Sequence, residues 1–249
     1  MNLIEIFSLS VSSYITAILS ATVGLAGGTL LLSFMGLYMP ISTVIPLHAA
    51  NQFVSNFWRC YLLRTNIRRD FFWAFISGSI LGVILSTFTL KYFLKLENLS
   101  IFVALLIFYT LFKPKKMPNI VVFQKGFFVV GIVIGFCGMF LGATGLILGS
   151  FFVRKDMTKN EVVATQGAMQ TFNHLLKVLG FLFLGFNYVP WLLLLFFMTI
   201  SAVLGTTLGV KILKKLPEVW FRHFFNAILF ISACKIVWDY FVINFFRIY

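Results

Sequence analysis

The sequence predicts an all-α polytopic membrane protein. It is expected to hold two repeated modules, inverted relative to one another, each with a glycine-broken, re-entrant-like helix pair and three spanning helices. Three observations lead there: an apolar, charge-poor composition, a glycine cluster ahead of a short apolar segment in each half, and basic residues confined to particular loops.

Of the 249 residues, 60% are hydrophobic and 11% charged, and the mean hydropathy is +0.98. A soluble domain carries about a quarter charged residues. This chain has too little polar surface to cover itself in water, so lipid is the solvent that fits. The net charge of +13 comes from 20 Lys and Arg against 7 Asp and Glu. The basic residues lie between apolar segments, which favours cytoplasmic anchoring over a nucleic-acid surface. The same charge would attract an anionic substrate. Cys60, Cys137 and Cys234 are far apart and form no metal-ligand or CxxC spacing, so they read as small buried hydrophobes, and no cofactor or metal is expected. The opening MNLIEIF has no basic run and an early Glu5, so it is expected to stay as a first helix, not to be cleaved.

Apolar segments fall at about 3–23, 27–39, 43–63, 71–90, 99–112, 126–141, 143–153, 161–184, 189–210 and 223–245. A full span needs about 20 residues. The pieces 27–39 and 143–153 are too short, and each follows a glycine cluster, Gly24-Leu25-Ala26-Gly27-Gly28-Thr29 or Gly138 to Gly145. Glycine weakens a helix and admits backbone conformations other residues avoid. Each half thus begins with a helix, a break and a short second helix.

The halves align on one another. Moving Gly27 onto Gly142, a shift of 115, also places Thr29 on Thr144, Leu31 on Leu146, Ala49 on Ala164 and Phe57 on Phe172. The pair Gly78 and Gly82 corresponds to Gly205 and Gly209 at a shift of 127. The expected organisation is a first repeat at 1–115, a basic cytoplasmic linker at 116–125 and a second repeat at 126–249. Basic loops fall at 64–69, 113–125, 154–159 and 211–222, whereas 39–43 and 185–190 carry no charge. If each broken pair enters and leaves on one side, all four basic loops lie inside. That arrangement inverts one module against the other, a common transporter plan. Loop 91–98, with Lys91 and Lys95, fits it least well.

Two constellations carry candidate chemistry. At each break the second helix begins with unpaired N–H groups and the positive pole of the helix dipole, which suit an anion. Gly27, Gly28, Thr29, Gly142 and Thr144 are the residues concerned; close helix packing through small residues is the competing explanation. Two polar stripes form the second constellation. Gln166, Gln170, Asn173 and Lys177 share one face of segment 161–184, with His174 beside them. His48, Asn51, Ser55 and Arg59 share a face of 43–63, flanked by Gln52 and Asn56. Polar side chains within a membrane usually face a bundle interior or an aqueous cavity. Amides donate to an anion without changing charge, though interhelical bonding would also account for them. Arg59, near its helix end, is expected to snorkel. His48 and His174 read first as structural histidines and second as proton relays. Lys235 and Asp239 read as a structural pair. The chain has no G-x-S-x-G, H-E-x-x-H or Walker sequence, so an enzyme is not expected.

The run Gly24 to Thr29 followed by Ala49-Ala50-Asn51 resembles the opening of sulfite exporter TauE/SafE-like proteins. Gly142-Ala143-Thr144-Gly145, then Ala164-Thr165 and Phe172-Asn173-His174-Leu175-Leu176-Lys177, is similar to that family's second repeat. The later Gly205/Gly209 spacing, Lys214-Lys215-Leu216-Pro217 and a last helix complete the order. The chain departs in a shorter first glycine run, and in His48 and Asn51 where small residues or threonine are common. The resemblance implies transport of sulfur-containing anions such as sulfite, sulfoacetate or related organic acids, in a bacterial inner membrane.

The leading expectation is therefore a secondary transporter for small anions. Its midplane site would comprise Gly27, Gly28, Thr29, His48, Asn51, Gln52, Gly142, Thr144, Gln166, Gln170, Asn173 and Lys177, with Lys177 supplying charge. The expected partners are a small anion and the lipid bilayer, without nucleic acid; self-association is left open. A cation or metabolite carrier on the same fold is one alternative. A non-transporting scaffold is another, and it predicts satisfied polar stripes and no cavity between the breaks.

Overall fold

A computed structural model describes residues 2–92 and 122–247; side chains at 92, 233, 235–237 and 239–247 are outside the description. The expected segment 99–112, most of the linker, and the Lys235 and Asp239 side chains therefore lie outside the described residues. The described residues are helical, with no strand among them: α1 Leu3–Val23, α2 Gly27–Met35, α3 Ile41–Leu62, α4 Arg69–Tyr92, α5 Phe127–Leu141, α6 Gly145–Ser150, α7 Lys159–Phe183, α8 Leu192–Lys215 and α9 Glu218–Arg247.

Local sequence explains where these helices start and stop. Asn2 Oδ1 accepts from the Glu5 amide at 2.8 Å while Glu5 accepts from the Asn2 amide at 3.0 Å, a capping box that starts α1. Thr158 and Glu161 do the same for α7. Helix α1 stops because Gly24 turns left-handed at φ +86°, and Ala26 follows at φ +62°, an uncommon state for a residue with a side chain. Gly142 stops α5 in the same way at φ +73°. The two short segments are shorter than their apolar runs: α2 has nine residues and α6 six.

Among the described residues, four stretches are long and apolar enough to cross a bilayer: Leu3–Val23, Arg69–Lys91, Gln124–Leu141 and Val189–Lys215. The chain is an all-α polytopic membrane protein. Helix α1 packs along α8 and α4 along α5, while α3 and α7 pack on one another between them. Glycine sets the outer pairs. A Cβ at Gly78 would lie 1.8 Å from the Phe128 carbonyl oxygen, and one at Gly205 would lie 2.3 Å from that of Tyr14. Backbones that approach this closely leave no room for a side chain.

The polar helices α3 and α7 are the inner ones, and their stripes are buried. Lipid would charge heavily for those groups on an outer face. At one end of the bundle the basic loops bond to each other. Arg68 N donates to Thr165 Oγ1 at 3.0 Å, Arg222 donates to the Arg154 and Met157 carbonyls at 2.8 Å, and Arg154 donates to the Val122 carbonyl at 3.2 Å. The uncharged loops occupy the other end, where Phe186, Tyr188 and Trp191 pack on a cluster that includes Ile6, Leu9, Met35 and Leu47. Helix α2 doubles back along α1: Gly27 lies against Thr16, and Met35 joins Ile6 and Leu9 in that cluster. At the basic end Phe152, just after α6, stacks edge-on against Phe127 at the start of α5, with centroids 5.6 Å apart.

Candidate functional site

The two helix breaks face one cavity. Gly24, Ala26, Gly28 and Thr29 contribute from the first break, and Ala143, Thr144 and Gly145 from the second. The inner helices close it, α3 with His48, Gln52, Asn56 and Arg59, α7 with Gln170 and His174. Ser20 and Leu25 complete the wall. The free volume is ≈ 30 Å³, room for about two waters. Gly28, Thr29, Ala143 and Gly145 are only half-buried, so the cavity has an open side.

Its wall is rich in unsatisfied polar atoms. Both amide atoms of Gln170, Nδ1 of His48, Nδ1 of His174 and Nε of Arg59 are buried with no hydrogen-bond partner among the described residues. Buried polar groups are nearly always paired, and each exception calls for a reason. Here five orphaned atoms belong to four residues around one cavity. The His48 and His174 rings stand edge to face, 5.8 Å between centroids, one from each half of the chain. The other His48 nitrogen, Nε2, contacts the Gly28 carbonyl oxygen at 2.8 Å. Among the described residues, no Asp or Glu lines the cavity.

Of the residues expected from sequence, the cavity gathers Gly28, Thr29, His48, Gln52, Thr144 and Gln170. The others surround it. Gly27 is pressed on α1, where a Cβ would fall 2.1 Å from the Thr16 carbonyl oxygen. Asn51 donates to Ser13 Oγ at 3.0 Å, and Ser13 in turn donates to the Met198 carbonyl at 2.9 Å. Asn173 accepts from Ser79 Oγ at 3.2 Å and donates to Thr144 Oγ1 at 3.4 Å. Gln166 sits against Gly24, and its Nε2 has no partner. Lys177 is fully buried, and its Nζ donates to the Gly142 carbonyl.

Arg59 corrects the snorkelling expectation. It is 3% exposed. Its Nη1 donates to the Ser20 carbonyl at 2.5 Å and its Nη2 to Asn56 Oδ1. The surrounding helices hold it inward, so the last turn of α3 is interior here. Ser20, Asn56 and His174 were also outside the expected set. For Asn56 and His174 the stripe spacing was the available signal; Ser20, in the last turn of α1, left none.

The model of the sulfite exporter TauE/SafE family matches residues 9–236. The chain belongs to that family. No curated protein and no solved structure matches it. As a TauE/SafE member it is a membrane transporter, and the cavity between its helix breaks is where transport chemistry would be sought.

Proposed function

We propose that this TauE/SafE chain is a secondary permease for small anions, sulfite or a related organosulfur or organic acid, in a bacterial inner membrane. What carries this reading is the cavity where the two breaks meet, walled, among the described residues, by unpartnered buried polar groups and an arginine and by no carboxylate. Such a wall offers an anion the free donors Gln170 Nε2 and Arg59 Nε and the positive charge of the guanidinium. Of the expected residues, Gly28, Thr29, His48, Gln52, Thr144 and Gln170 line it; Gln166, Asn173 and Lys177 stand behind them.

The two modules are an inverted repeat. Exchanging the halves carries α1 on α8 into α5 on α4 and leaves α3 on α7 unchanged. Helix α2 returns toward the uncharged end, where α1 starts, and α6 toward the basic end, where α5 starts, which supports reading them as two re-entrant pairs of opposite sense. Rocking of one module against the other would open the site to each side in turn.

Uptake of radiolabelled sulfite into liposomes holding the purified protein tests this. Uptake above protein-free liposomes, reduced by competing oxyanions and unaffected by competing cations, is the expected result. Equal uptake with and without protein, across a panel of sulfur and carboxylate anions, contradicts it.

A further inference from the structure

The two buried cations of the inner helices do different work. Lys177 spends its ammonium on the Gly142 carbonyl and is absent from the cavity wall. That carbonyl belongs to the residue that ends α5, where a cation is favourable. Arg59 also holds a helix end, through the Ser20 carbonyl that receives the Gly24 amide at 2.8 Å. Unlike Lys177, it lines the cavity and keeps a buried Nε without a partner. The ion pairs among the described residues, Arg68–Asp70, Arg68–Glu161, Arg154–Asp156 and Arg222–Glu218, include neither Arg59 nor Lys177. A guanidinium is charged at neutral pH and binds oxyanions through a planar fork. Buried without a counter-charge, it is costly unless a ligand supplies one.

The facing helix makes room for that group. A Cβ at Gly167 on α7 would lie 2.9 Å from Arg59 Nε. Any larger residue at Gly167 therefore displaces the guanidinium from its place on the cavity wall.

Resting on the anion-transport reading above, we propose that Arg59 is the residue that selects the substrate's negative charge, that Gly167 positions it, and that Lys177 is a strut for the second helix break and not a ligand. The test is sulfite titration of the purified protein in nanodiscs, paired with sulfite counterflow in liposomes. R59Q is expected to weaken sulfite binding by about 10- to 100-fold, the scale of a lost charge-assisted hydrogen bond. R59K should keep more affinity than R59Q. G167A, its fold checked by thermal unfolding, should bind several-fold more weakly, because the added Cβ would lie 2.9 Å from Arg59 Nε and push the side chain aside. K177Q should bind sulfite as the parent does but exchange it more slowly. Sulfite binding in G167A equal to the parent overturns the proposal, whether or not R59Q folds. A loss in K177Q as severe as in R59Q overturns it too. A parent protein inert toward sulfite contradicts the transport reading itself, whereas an active parent with an equally active, folded R59Q contradicts only the role given to Arg59.

Discussion

Two amides on the inner helices test the proposed anion site at the level of single residues. Gln170 is 4% exposed, and neither its oxygen nor its nitrogen has a partner. Asn51 is 1% exposed and bonded to Ser13. Removing a satisfied buried partner costs about 1–3 kcal/mol, whereas replacing an unsatisfied one with an apolar group of similar shape is neutral or stabilising. Q170M should therefore leave the melting temperature unchanged or raised, yet weaken sulfite affinity by about tenfold. N51A should lower the melting temperature with the smaller effect on affinity. The reverse pattern, measured by thermal unfolding and titration of both variants, would place the anion at Asn51. Spacing showed that both amides share the interior with their stripes. It did not show which faces a neighbouring helix and which a void, because that depends on where Ser13 and the breaks come to lie.

Helix pairing rests on glycine. At Gly78 an added Cβ meets backbone at 1.8 Å, which cannot move without parting α4 from α5. At Gly145, which lines the cavity, an added Cβ meets nothing within 4 Å. G78A should thus destabilise the protein by about 1–3 kcal/mol or more, while G145A should fold as the parent does; comparing their unfolding temperatures in detergent checks both. The basic loops make a second prediction. Arg154 Nη2 lies 2.6 Å from Asp156 Oδ2, and this hydrogen bonding holds the Asp156 carboxyl below its ordinary range. A depressed carboxylate contributes stability above the unfolded value, about pH 4, and loses it as pH falls through the lower folded value. D156N should lower stability at neutral pH and flatten its acid dependence below about pH 4, seen in melting temperatures across pH. A variant with the parent's full acid dependence would show that Asp156 does not contribute. Both glycine pairs and both breaks were legible as sequence patterns. The depth of Arg59 was not, because three residues from the end of α3 looks like the membrane edge until the neighbouring helices close around it.

For the whole molecule, composition sufficed to place the chain in lipid, and among the described residues the basic loops 64–69, 154–159 and 211–222 gather at one end, tied by hydrogen bonds to one another, to Val122 and to the start of α7. Residues of both breaks line one cavity, Gly24, Ala26, Gly28 and Thr29 from the first and Ala143, Thr144 and Gly145 from the second, while Gly27 packs on α1. Glycine tolerates both roles, so its identity does not distinguish them. On the function proposed above, an anion binds where the breaks meet. Selenite, a heavier analogue of sulfite, locates it through anomalous diffraction from crystals of the protein soaked with the anion. The expected selenium peak lies in the cavity beside Gly28 and Thr144, about 4 Å from the Gln170 amide nitrogen, with a selenite oxygen between them at hydrogen-bond distance. A peak confined to the basic end, among Arg68, Arg154 and Arg222, with the cavity empty, would contradict it.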